Sequence, residues 1–214
     1  MGPFSLTGQP NAMGGREVGG LANQLAAHMG FSAADIDRVR RFWNAPRMAA
    51  REGLKAVDMF AAIERGTIKA LWVMATNPAV SLPRAGEFRA ALNKLDLFVV
   101  SETTLRNDTV EAGAHVLLPA AAWGEKDGTV TNSERRVSRQ RAFRPSPGEA
   151  QPDWWIVSEV AGRLGFAQAF GTAGRPIFFA STRRCRHSKM TGSATSTWAV
   201  SRALPMRTMT GLTR

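Results

Sequence analysis

The chain has 214 residues, 44% of them hydrophobic, a single cysteine and a formal net charge of +11. That length can bury one large core or two small ones. The lone Cys185 excludes an internal disulfide framework and any cysteine-rich cluster site, and no apolar run approaches the roughly 20 residues that span a bilayer. The charge resembles a nucleic-acid signal until it is located: residues 175–214 hold eight Lys/Arg and no acid, which leaves +3 for residues 1–174.

The start, MGPFSLTGQP, has neither the basic nor the apolar region of a secretory leader, so a cytoplasmic protein is expected. Residues 2–20 are rich in Gly, Pro and Asn and read as an ordered or ligand-facing loop. Residues 33–42 read as a short helix after a Ser32 N-cap. Residues 53–65 place Leu54, Val57, Phe60, Ala61 and Ile63 at near-helical spacing, with Gly66 to end the helix. The period then changes. ALWVMAT (70–76) is a continuous apolar run closed by Asn77-Pro78, as in a strand buried on both faces. Residues 87–95 form a helix candidate, LFVVS (97–101) a second strand, TTLRNDTVEAG a helical turn, and HVLLP (115–119) a third strand. EKDGTVTNSERR reads as a polar loop, and residues 150–165 as an amphipathic helix with Pro152 in its first turn and Gly165 at its end. Strands alternating with helices at this spacing predict an α/β fold with a parallel sheet. After residue 170 neither period persists. The text turns rich in Ser, Thr, Arg and Met, as expected of a shifted reading frame or, alternatively, of a disordered basic tail.

In an open parallel sheet, ligands bind at the carboxyl ends of strands. Three such ends are marked. The Asn77 amide can bond a ligand or form an Asx-turn before Pro78; a carboxylate at Glu102, after Ser101, is placed to accept from ribose hydroxyls or is a solvated loop-start acid; and Lys126, after Glu125 in the loop to Asn132, can pair with a phosphate, polarise a ring system or sit free on the surface. His28, His115 and His187 show no metal-ligand spacing; His115, opening a strand, reads as a packing or capping residue, and His28 ends a helix-like segment. The six tryptophans, Trp154-Trp155 among them, read as core or interface.

TNP at 76–78, FVVSE at 98–102 and HVLLPAAAWGEKDGTVTNSERR at 115–136 together resemble the molybdopterin-dependent oxidoreductases, specifically the bis-molybdopterin guanine dinucleotide enzymes, over about Gly2 to Phe170. The loop GPFSLTGQPNAMGGREVGGLANQLAAHM resembles the assimilatory nitrate reductase branch, with formate dehydrogenases the alternative. The resemblance implies a partial Rossmann-like domain over residues 1–170 and a tail over 171–214. It implies guanine dinucleotide contacts at Asn77, Ser101, Glu102, Lys126 and Asp153; Glu102 stands where many relatives have Asp, and Asp153 also suits a helix start. Gly8-Gln9-Pro10 would lie near the pterins, and Arg135 and Arg136 would attract nitrate or line the cofactor cleft unless they are surface charges. The implied cofactor is molybdenum bis-molybdopterin guanine dinucleotide, whose metal takes an oxygen atom from nitrate.

The resemblance also implies a cysteine cluster for a [4Fe-4S] centre and a cysteine ligand to molybdenum. Residues 1–214 hold neither, so both are expected only in an intact parent, as are further domains and an electron-donor protein or subunit. Alone the chain is therefore expected to be inactive, with no catalytic or metal-ligating residue of its own and no role for Cys185. A nucleic-acid-binding protein is the reading from another class. It rests on the tail alone and predicts salt-sensitive binding lost on truncation at residue 174; neither nucleic acid nor a membrane is an expected partner.

Overall fold

The computed structural model describes residues 11–170. Helix α1 (Ala12–Glu17) is followed by a tight turn at Ala26–His28, then α2 (Ala33–Trp43) and α3 (Ala56–Glu64). Strand β1 (Ala70–Met74) leads into α4 (Pro78–Ser81) and α5 (Ala85–Leu92), β2 (Leu97–Glu102) into α6 (Asp108–Glu111), and β3 (Val116–Pro119) into a turn at Trp123–Glu125. A hairpin of β4 (Gly128–Thr131) and β5 (Val137–Gln140) comes next, then α7 (Asp153–Ala161), which runs into a π-helical turn at Gly162–Phe166.

The parallel sheet expected from the three apolar runs is present, in the order β1-β2-β3. Its register pairs Val73 with Val100, Met74 with Ser101 and Glu102 with Pro119. Because side chains alternate across a strand, Leu71, Val73, Phe98, Val100 and Leu117 share one face. They pack there with Ile63 of α3, Phe88, Ala91 and Leu92 of α5, and Ala79 of α4. Phe98 and Ile63 are fully buried, each contributing about 2–3 kcal/mol of transfer free energy. The opposite face carries half-buried Trp72, Val99 and Leu118, while Leu97 and Val116 are 46% and 40% exposed. Parallel sheets are ordinarily covered on both faces, and this one is covered fully on one.

Several boundaries move for local reasons. Gly53-Leu54-Lys55 are not helical; Gly53 N–H instead donates to Ala22 C=O, so α3 begins three residues late. It ends as expected, with Gly66 at φ 72° donating to Ile63 C=O. Pro78 does not merely close β1. It opens a short helix, where its missing N–H is harmless. Residues 12–17, read as loop, form α1, and the polar loop after Lys126 forms the β4–β5 hairpin, paired from Gly128–Gln140 to Thr131–Val137. The expectation for 171–214 lies outside the described residues, as do Gly8-Gln9-Pro10, Cys185 and His187.

Ser32 caps α2 as expected, its Oγ accepting from Asp35 N–H at 3.2 Å. On the same helix Asp37 bonds Arg40 and Arg41, and the Arg40 bond foremost holds its carboxyl below the ordinary 3.8. The sign follows: a depressed carboxylate stabilises above its unfolded value and stops doing so as pH falls through the folded one. The Asp37→Asn variant is therefore expected to differ from wild type in helical circular dichroism above pH 3.8 and to converge with it as pH falls further, through the lowered folded value.

Candidate functional site

The strand ends converge because the ladder continues past β3. Ala120 N–H donates to Glu102 C=O, Gln151 N–H to Pro119 C=O and Ala121 N–H to Gln151 C=O. Gln151 thus lies in parallel beside Ala120, and α7 begins two residues later at Asp153. Glu102, the end of β3 and the first turn of α7 therefore occupy one edge of the sheet, in the row where this topology exposes ligand sites. Lys126 reaches the same edge: its Nζ lies 2.6 Å from Asp153 Oδ2, with both side chains about a quarter to a third exposed.

The other Asp153 oxygen, Oδ1, is buried and has no hydrogen-bond partner among the described residues. A buried carboxylate oxygen left bare costs about 1–3 kcal/mol or more. A ligand N–H removes that cost, and guanine offers adjacent ring and amino N–H donors. Asp153 also sits in the first turn of a nine-residue helix, where its charge is favoured. The residues present thus suit a guanine nucleotide: a bare acceptor for the base and an ammonium for a phosphate.

The other candidates are placed less directly. Glu102 folds back, its Oε1 accepting from Thr103 N–H at 2.7 Å and from Thr103 Oγ–H at 3.0 Å; Oε2 is left for other donors by these two bonds. Ser101 is fully buried, and its Oγ accepts from Trp72 Nε1 at 2.8 Å. Asn77 Oδ1 accepts from the buried Thr109, at 2.7 Å from its hydroxyl and 3.2 Å from its N–H. Thr109 Oγ accepts in turn from Ala79 N–H. Asn77 therefore ties the end of β1 to α6.

Arg135 is committed elsewhere. Its Nε and Nη2 meet Glu17 Oε1 and Oε2 at 2.6 and 3.1 Å, and the Glu17 side chain is completely buried. That hydrogen bond raises the Arg135 pKa beyond its already high value. His28 Nε2 approaches the same carboxylate at 3.3 Å. Arg136 caps the hairpin turn, its N–H donating to Asn132 Oδ1 at 2.9 Å. His115 caps as expected, Nδ1 accepting from Phe98 N–H. Trp154 and Trp155 are half-buried.

Residues 4–163 match the family described as Molybdopterin oxidoreductase. The chain belongs to the molybdopterin oxidoreductase family. It is 60% identical to a nitrate reductase of Klebsiella oxytoca over 79% of its length, but that stretch is 19% of the relative. An F420-dependent formate dehydrogenase 1 subunit alpha of Methanococcus maripaludis is 36% identical over 77% of the chain and 24% of its own length. Acetylene hydratase of Pelobacter acetylenicus has the same fold, with TM-score 0.52 and 20% identity over 68% of this chain and 20% of that one. The chain thus spans about a fifth of the relatives it matches. The molybdopterin cofactor goes with the family, and among the described residues no helix is long and apolar enough to cross a membrane and no His/Cys/Asp/Glu group is arranged to hold a metal.

Proposed function

We propose that this chain is the guanine dinucleotide-holding part of a molybdenum-dependent nitrate reductase, the assimilatory type being favoured by its N-terminal loop. The bare, buried Asp153 Oδ1 beside Lys126 is the observation that carries the nucleotide reading. The 60% identity to a nitrate reductase supports nitrate over formate as substrate of the intact enzyme. When bound, the molybdenum centre supplies the two-electron oxygen-atom transfer that takes nitrate to nitrite.

In this reading Asp153 accepts from the guanine edge, Lys126 faces the diphosphate, and Glu102 accepts from ribose hydroxyls. Asn77 and Ser101 hold the strand ends in place beneath them. The remaining domains, the [4Fe-4S] centre and the electron donor belong to the intact enzyme, in a cytoplasmic setting. The test is isothermal titration of the 214-residue chain with guanosine diphosphate. Wild type is expected to bind, and Asp153→Ala to weaken binding about tenfold, the worth of one hydrogen bond to a charged group. No binding by wild type, or equal binding by Asp153→Ala, would overturn the reading.

A further inference from the structure

Lys126 lies on a loop, and loops place side chains less rigidly than strands do. This one is held by a single downstream segment. Gln140, at the end of β5, donates from Nε2 to the Trp123 C=O and, at 3.2 Å, to the Lys126 C=O. Phe143 and Arg144 N–H both donate to Gly124 C=O, at 2.9 and 3.2 Å. Ser146 Oγ donates to Glu125 C=O at 3.3 Å, and Ala142 N–H donates to the Asp127 carboxylate at 2.9 Å. Every carbonyl from Trp123 through Lys126 is therefore bonded by residues 140–146. Arg144 also pairs with the nearly buried Glu125 carboxylate at 3.3 Å. The Phe143 ring lies so close to Gly124 that a Cβ there would sit 2.2 Å from it.

Within this clamp Gln140 is distinct. One amide nitrogen carries two hydrogens, and here they serve the first and last carbonyls of the loop, fixing its span. The hairpin register sets Gln140 opposite Gly128, two residues past Lys126. The amide thus fixes the backbone from which the lysine side chain departs.

We propose that Gln140 is a positioning residue of the nucleotide site: by bonding both the Trp123 and Lys126 carbonyls it aims the Lys126 ammonium at the ligand's diphosphate. This rests on the reading of Asp153 and Lys126 as nucleotide contacts. Gln140 touches no ligand itself. Its influence is confined to what Lys126 contacts, which separates it from a residue that only stabilises the fold. The Gln140→Glu variant is nearly isosteric, yet it replaces both donors with acceptors facing carbonyls.

The experiment compares guanosine diphosphate with guanosine, titrated into the full 214-residue chain as wild type, Gln140→Glu, Gln140→Met, Lys126→Ala and Gln140→Glu/Lys126→Ala. Circular dichroism melting is run in parallel, and Gln140→Met serves if the charged variant fails to fold. Gln140→Glu is expected to lose about tenfold in diphosphate affinity and clearly less in guanosine affinity, the smaller loss coming through the Lys126 bond to Asp153. The double variant is expected to lose no more than Lys126→Ala alone, since the glutamine acts through the lysine. Equal losses for both ligands, additive losses in the double variant, or diphosphate binding unchanged in both Gln140 variants would overturn the proposal. Wild type that binds guanosine diphosphate while those patterns fail sinks the role of Gln140 alone; wild type that does not bind sinks the underlying reading and this inference with it.

Discussion

Replacing Arg135 with alanine is expected to lower the unfolding free energy by about 3 kcal/mol, read as a lower urea midpoint at unchanged slope. The Glu17 carboxylate is completely buried and takes both bonds of the arginine fork. Removing one partner of a buried pair commonly costs about 3–5 kcal/mol, because the remaining charge stays desolvated. The low end applies here because the Arg135 side chain is 47% exposed and water can enter where it stood. Arg135→Lys, a point charge in place of a fork, is expected to fall between wild type and alanine. Arg135→Gly provides a sharper check. The residue sits at φ 63°, where glycine is unstrained, so glycine is expected to be about 1 kcal/mol less destabilising than alanine although it loses the same ion pair. Arg135 has a raised pKa, so its contribution is present below the unfolded value and lost only as pH rises through the still higher folded one. The difference between wild type and Arg135→Ala is thus expected to stay level from pH 5 to 9 as far as the arginine is concerned. An unchanged midpoint in Arg135→Ala would show that the buried carboxylate is satisfied without it.

That ion pair marks where the sequence stops being readable. The parallel sheet was legible because a strand buried along its length shows as an unbroken apolar run, and LWVM and FVV can be little else between helical spacings. The candidate site was legible to the extent that strand ends carry it: Glu102 and Asp153 come to the same edge because the ladder extends to Gln151. The β4–β5 hairpin was not. Its strand Gly-Thr-Val-Thr has four residues, only one of them a strongly apolar residue, and its ladder partners Gln140, Arg139 and Ser138 are polar, while the turn signal, Asn132, acts through a side chain that accepts from Arg136 N–H rather than through an Asn-Gly pair. Nor was Glu17. One acid in a glycine-rich segment carries no periodic signal, and its partner lies 118 residues away. Gln140 escaped notice for a related reason: a glutamine that bonds only backbone carbonyls has no partner side chain to mark it. Long-range pairs and main-chain ties are tertiary facts, and spacing along the chain does not encode them.

The Asn77→Ala variant is expected to cost about 2–3 kcal/mol in stability, because it leaves two donors of the buried Thr109 without their acceptor. From residue order alone, Asn77 serves equally as a turn residue or a ligand contact. Its carbonyl oxygen does neither: it crosses to α6 and holds the β1 end against it. Thr109→Val, which keeps the shape and removes the hydroxyl that accepts from Ala79 N–H, is expected to cost about 1–2 kcal/mol. The two losses share one bond, at 2.7 Å, so the double variant is expected to fall short of their sum by about 1 kcal/mol in a urea-denaturation cycle. The remaining group, Nδ2, lies 3.4 Å from Asp108 Oδ2, a long bond that a stronger acceptor can displace. This separates the two roles. If Asn77 acts on the ligand only through Nδ2, then Asn77→Asp keeps an acceptor for Thr109 and loses the donor, so stability is largely retained apart from repulsion by Asp108 while guanosine diphosphate affinity falls. If Asn77 acts only by holding the strand end, affinity follows stability across Asn77→Ala, Asn77→Asp and Thr109→Val alike. A Thr109→Val chain that loses affinity as Asn77→Ala does, without any group of its own on the ligand, would place the contribution of Asn77 in the geometry of the strand end.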